Sequence, residues 1–72
     1  MIIGRKFFAH SYIILCNGKT VYIKESLEKF LDKFLNEKND EIVCHVAHFL
    51  KKETISISRN EIYHYGRIFI NR

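Results

Sequence analysis

The stretch FFAHSYIILCNGKTVYIK, residues 7–24, reads as two β-strands joined by a turn. Residues 7–16 and 20–24 are rich in aromatic and β-branched types, and Asn17-Gly18 between them is the dipeptide best suited to a tight hairpin. A two-residue turn of type I′, with positive φ at both positions, pairs Cys16 with Lys19, Ile14 with Val21 and Tyr12 with Ile23. Side chains alternate along a strand, so this register gathers Phe8, His10, Tyr12, Ile14, Val21 and Ile23 on one face, expected to be the core side. The other face carries Phe7, Ala9, Ser11, Ile13, Leu15, Thr20, Tyr22 and Lys24, and is too apolar to stand in water without a cover.

Beyond the hairpin the period changes. Leu27, Phe30, Leu31, Phe34 and Leu35 fall on one helical stripe, Ser26 is placed to cap it, and Glu28, Lys29, Asp32 and Lys33 form its solvated side. Residues 36–40 are a polar break. Ile42, Val43, Val46, Phe49 and Leu50 then return to helical spacing, predicting a second amphipathic helix to about residue 52; a strand over 41–50 is the competing reading. Residues 54–58 alternate as a strand, and the run Ile68-Phe69-Ile70 suits a strand better than a helix. A second hairpin turning at Arg59-Asn60 therefore sets Ile55, Ile57, Ile62 and His64 on one side and Thr54, Ser56, Ser58, Tyr63, Tyr65 and Arg67 on the other. The alternative is a helix after Ser58, which would make the C-terminal part resemble a helix-turn-helix. The expected fold is thus α+β: one small domain over 1–72, built as hairpin, two amphipathic helices and second hairpin. Its core is expected from Phe8, Ile14, Val21, Leu27, Phe30, Leu31, Phe34, Val46, Phe49, Leu50, Ile55 and Ile57.

A chain of 72 residues with 47% hydrophobic and 28% charged residues, no proline and three glycines has the balance of a folded domain, but its core is small enough that a homodimer would help it. Two cysteines, Cys16 and Cys44, do not make the dense framework of a small secreted domain, so a cytoplasmic location is expected. Arg5 and Lys6 before an apolar stretch superficially resemble a signal sequence, but His10 and Ser11 interrupt it and Leu15 occupies the place where cleavage needs a small residue. No apolar run is long enough to cross a bilayer, and no membrane partner is expected.

Charge is unevenly spread. Residues 1–24 hold four cations and no acid, 25–41 hold six acids against three lysines, and 42–72 hold five cations against two acids, within a net charge of +4. The strands are therefore basic and the first helix acidic. With helices on one side of the sheet, the other side presents cations beside aromatic rings, the combination used to bind nucleic acid, and Lys24, Arg59, Tyr63, Tyr65 and Arg67 are the residues expected to contact DNA or RNA. The alternative partner is a protein, bound by a regulator or inhibitor of the kind mobile elements encode through the apolar hairpin face of Phe7, Ile13, Leu15 and Tyr22. Cys44, His45 and His48 supply too few ligands for a structural zinc, and no nucleophile, base and orienting acid can be proposed from spacing. No metal, cofactor or catalysis is expected; the small basic protein is read as a binding or regulatory one.

Overall fold

The computed structural model describes residues 1–36, 38, 40–50 and 52–69. Expectations that fall on Glu37, Asn39, Lys51 and Ile70 lie outside the described residues. The elements run β1 (Ile2–Ile3), a 3-10 turn (Lys6–Phe8), β2 (Ser11–Leu15), β3 (Thr20–Ile23), α1 (Leu27–Asn36), β4 (Glu41–His45), β5 (Thr54–Ser58), a second 3-10 turn (Arg59–Glu61) and β6 (Ile62–Arg67). Four strands form one sheet in the order β1-β3-β2-β6, and β4 pairs with β5 in a second. The α+β class stands in outline, but the arrangement of two hairpins around two amphipathic helices is overturned: one helix and two sheets take its place.

The first hairpin forms with its register displaced by one residue. Ile13 stands opposite Val21, Ile14 opposite Thr20 and Tyr12 opposite Tyr22. The loop is Cys16, Asn17 and Gly18: the Gly18 N–H donates to the Leu15 carbonyl at 2.9 Å and the Leu15 N–H to the Lys19 carbonyl at 2.8 Å. Gly18 has φ +89° while Asn17 does not adopt positive φ, as in a turn closed by a left-handed glycine rather than a type I′ turn. Because strand side chains alternate, that single step turns every β2 side chain to the opposite face. Ile13 and Leu15 enter the core, and Tyr12 and Ile14 leave it; β3 keeps the expected faces, with Val21 and Ile23 inward.

Where a second helix was expected, residues 41–45 form β4, with Ile42 and Cys44 buried and Glu41, Val43 and His45 exposed. The helical spacing relied on Val43, Phe49 and Leu50. These are exposed, Phe49 by 72% and Leu50 by 85%, while Ile42, Cys44 and Val46 are buried with a period of two, and Ala47 is buried just beyond them. Val46 bridges to Ile23, and the Ala47 N–H donates to the Tyr22 carbonyl at 2.9 Å. β1 covers only Thr20 and Val21 of the β3 edge away from β2; the rest of that edge is thus paired by Val46 and Ala47, and the two sheets are joined there.

The second hairpin is also overturned, as is its helix-turn-helix alternative. β5 pairs antiparallel with β4, β6 pairs antiparallel with β2, and the turn at Arg59–Glu61 passes the chain from one sheet to the other. A bulge in β6 opposite Ile14 and Leu15 turns both Ile62 and Tyr65 towards the core despite their odd spacing. Phe30 is completely buried among Ile13, Leu15, Val21, Ile23, Ile42, Cys44 and Ile57, so α1 closes the space between the two sheets. The Ser26 hydroxyl accepts from the Lys29 N–H at 3.3 Å, the capping geometry expected of it.

Candidate functional site

With α1 over one face of the four-stranded sheet, the opposite face is left open. Register sets Tyr12 directly across from Tyr22 and from Gly66, and Ile14 across from Thr20 and His64. A β-carbon at Gly66 would stand 2.5 Å from the Tyr12 Oη and 2.7 Å from its Cζ, so the tyrosine ring lies across the glycine, in space that only an absent side chain leaves. The Tyr12 and His64 rings are 6.0 Å apart, centre to centre. Lys6, Tyr12, Ile14, Thr20, Tyr22, Arg67, Ile68 and Phe69 line a groove of about 440 Å³ on this face. It is lined by two cations and no carboxylate. Lys24, exposed, follows Tyr22 by two residues along the same strand direction.

The residues expected to touch nucleic acid are only partly gathered there. Tyr65 turns inward, its ring 5.4 Å from Phe30 and 5.8 Å from Phe34. Arg59 is taken up at the end of α1: its guanidinium donates to the carbonyls of Phe34 and Lys33 and lies 5.6 Å from the Phe34 ring centre, satisfying acceptors that the last helical turn leaves open. Tyr63 is exposed on β6 at the bulge. Arg67 borders the groove from β6, but register sets it opposite the inward-facing Ser11, and its guanidinium pairs with Glu28 of α1 on the helix side of the sheet. Of the expected protein-binding face, Ile13 is 0% and Leu15 7% exposed, Phe7 is exposed on the first 3-10 turn, and Tyr22 lies on the open sheet face. That apolar face therefore does not exist as one surface. Tyr12, Lys6 and His64 were absent from the expectation; a three-residue loop closed by Gly18 is the signal that would have brought Tyr12 outward.

A second polar constellation lies behind the helix. The Glu25 carboxylate is almost completely buried and accepts from the His45 backbone N–H at 2.9 Å, from the His45 Nδ1 at 3.1 Å and from the Lys33 Nζ at 3.3 Å. Burial alone pushes this carboxyl up. The hydrogen bonds from the His45 backbone and ring, the Glu25 backbone and Lys33 outweigh it and hold the group below the ordinary glutamate range. The Lys33 Nζ also donates to the Val43 carbonyl at 2.8 Å, so the network ties α1 to β4. Among the described residues, no three His, Cys, Asp or Glu side chains gather as a metal site, and no helix is long and apolar enough to cross a membrane. No protein-family model matches the chain, and neither the curated proteins nor the solved structures contain a significant match.

Proposed function

We propose that the chain binds a single strand of nucleic acid across the open face of its four-stranded sheet, acting in the cytosol as a binding or regulatory protein. The observation that carries this reading is the Tyr12–Tyr22 pair, directly opposed on a face the helix does not cover, with Lys6 beside it and Arg67 at the β6 edge. Both rings are partly exposed; rings on an open sheet face can stack on unpaired bases, and cations beside them can neutralise phosphates. Bases in a duplex are already stacked on one another, so single strands are the favoured form. The cytosolic setting is supported by the cysteine content: two cysteines, Cys16 at the surface and Cys44 in the core, are too few for the dense disulfide framework of a small secreted domain.

Fluorescence anisotropy on short single- and double-stranded DNA and RNA at two salt concentrations tests the proposal. Single strands bind more tightly than duplexes, and affinity falls as salt rises because neutralised phosphates release counterions. Tyr12→Ala and Tyr22→Ala each cost about 1–3 kcal/mol of binding, while the phenylalanine variants cost little, since the ring face does the stacking. Tyr65→Ala lowers stability instead, because that ring is packed on Phe30 and Phe34. Absence of binding to any oligonucleotide below about 100 micromolar at low salt, weaker than ordinary non-specific association, sinks the reading in favour of a protein partner.

A further inference from the structure

Next to the sheet groove lies a larger one, of about 730 Å³, formed by Arg5, Lys6, Phe7, Phe8, His48, Phe49 and Leu50. Two segments far apart in sequence build it. The Arg5 N–H donates to the Ala47 carbonyl at 2.7 Å, and the Phe8 and Phe49 rings stack with centres 5.3 Å apart and planes 27° from parallel. Phe7 meets Phe8 edge-on at 5.2 Å. Phe49 thus caps a short aromatic stack while most of it remains in solvent. The polar side chains of the lining are Arg5, Lys6 and His48, and the His48 Nε2 holds the Glu53 carboxylate at 2.9 Å. An aromatic stack ending in solvent beside cations has the chemistry that receives a base and its phosphate.

Lys6 lines both grooves. We infer that the two are one track, in which a single strand seated on Tyr12 and Tyr22 passes Lys6 and continues into the second groove, stacking a base on Phe49 beside the Arg5 guanidinium. This inference rests on the sheet-face reading above and adds to it a second subsite and a minimum length of strand. The sheet groove alone serves a short oligonucleotide, and the joined grooves serve a longer one.

The test compares oligothymidylates of about four and about twelve nucleotides by fluorescence anisotropy, a range that spans common single-strand site sizes. Phe49→Ser lowers affinity for the longer strand about tenfold, the loss of one stacked base, and leaves the shorter one unchanged. Arg5→Gln acts in the same direction and keeps the aromatic stack, so it serves where the Phe49 variant disturbs folding. Tyr12→Ala and Tyr22→Ala weaken both lengths. If the tyrosine variants weaken both strands while Phe49→Ser and Arg5→Gln leave the longer one untouched, the sheet-face reading stands and the second subsite is overturned. If neither length responds to the tyrosine variants, the sheet-face reading fails and the track fails with it. Phe49-dependent binding to vesicles of anionic phospholipid, with no effect of Phe49→Ser on the longer strand, overturns the track in favour of a membrane surface.

Discussion

Glu25 shows how one side chain can hold two elements together. Its carboxylate is buried beside the start of α1 and gathers donors from His45 on β4 and Lys33 within the helix. A buried carboxylate without donors would tend to protonate, whereas here the donors keep it ionised below the glutamate reference of 4.5. The sign of the pH effect follows from that direction. The folded state holds its proton less tightly than the unfolded state, so the stabilisation is complete above the unfolded value and is lost as pH falls through the lower folded one. Thermal melts across this acid range therefore show a falling midpoint for the natural chain. Glu25→Gln has a lower midpoint at neutral pH and a flatter decline in acid. Equal slopes for the two proteins would show that Glu25 does not carry the acid sensitivity. None of this is legible in the sequence, where Glu25 stands merely as an acid just before the helix and His45 as one of three residues too few to hold a zinc.

At the scale of elements, what the sequence showed well was local and what it hid was relational. Ser26 and the stripe of Leu27, Phe30, Leu31 and Phe34 specify α1, and the alternation of 54–58 specifies β5, because each signal is complete within a few residues. The hairpin loop is different. Asn17-Gly18 fits both a two-residue turn and the end of a three-residue one, and only the choice between them decides which side of β2 is core. Likewise, β4 was concealed because Val43 faces outward beside Glu41 and His45, and its inward set includes a cysteine that can be counted as either polar or apolar. These differences change what a substitution does. Read as part of an outer apolar face awaiting a protein partner or a second copy, Ile13→Lys would merely weaken that association. Ile13 is fully buried against the core, so the introduced ammonium has no water and no carboxylate partner, and the variant is expected to unfold. Circular dichroism distinguishes the outcomes: a folded, monomeric Ile13→Lys protein would contradict this placement. Ile14→Lys, on the open face, keeps the fold.

Over the whole molecule, the uneven charge of the sequence becomes a spatial arrangement. The acids of α1 sit on the side of the four-stranded sheet that carries the core, while the grooves lined by Arg5, Lys6 and Arg67 open elsewhere. The two regions meet where Glu28 on the helix holds the Arg67 guanidinium, a pair with both side chains substantially exposed. Such a pair adds little to stability, typically under about 1 kcal/mol, but it holds the guanidinium on the helix side of the sheet, where Arg67 stands opposite the inward-facing Ser11, and away from the open face of Tyr12 and Tyr22. A phosphate reaching the β6 edge of the sheet recruits Arg67 only by sharing it with Glu28 or displacing it. Glu28→Gln removes the competing charge and leaves a side chain of the same size. The variant is expected to melt close to the natural protein, to bind single-stranded oligonucleotides more tightly at low salt, and to lose affinity with added salt more steeply, the slope rising by roughly one phosphate contact. Arg67→Ala moves the other way, with weaker binding and a shallower slope, and in its presence Glu28→Gln has a smaller effect, since the carboxylate then has no guanidinium to withhold. If Glu28→Gln changes neither the affinity nor the slope while Tyr12→Ala still weakens binding, the strand is held by the rings and Lys6 without Arg67.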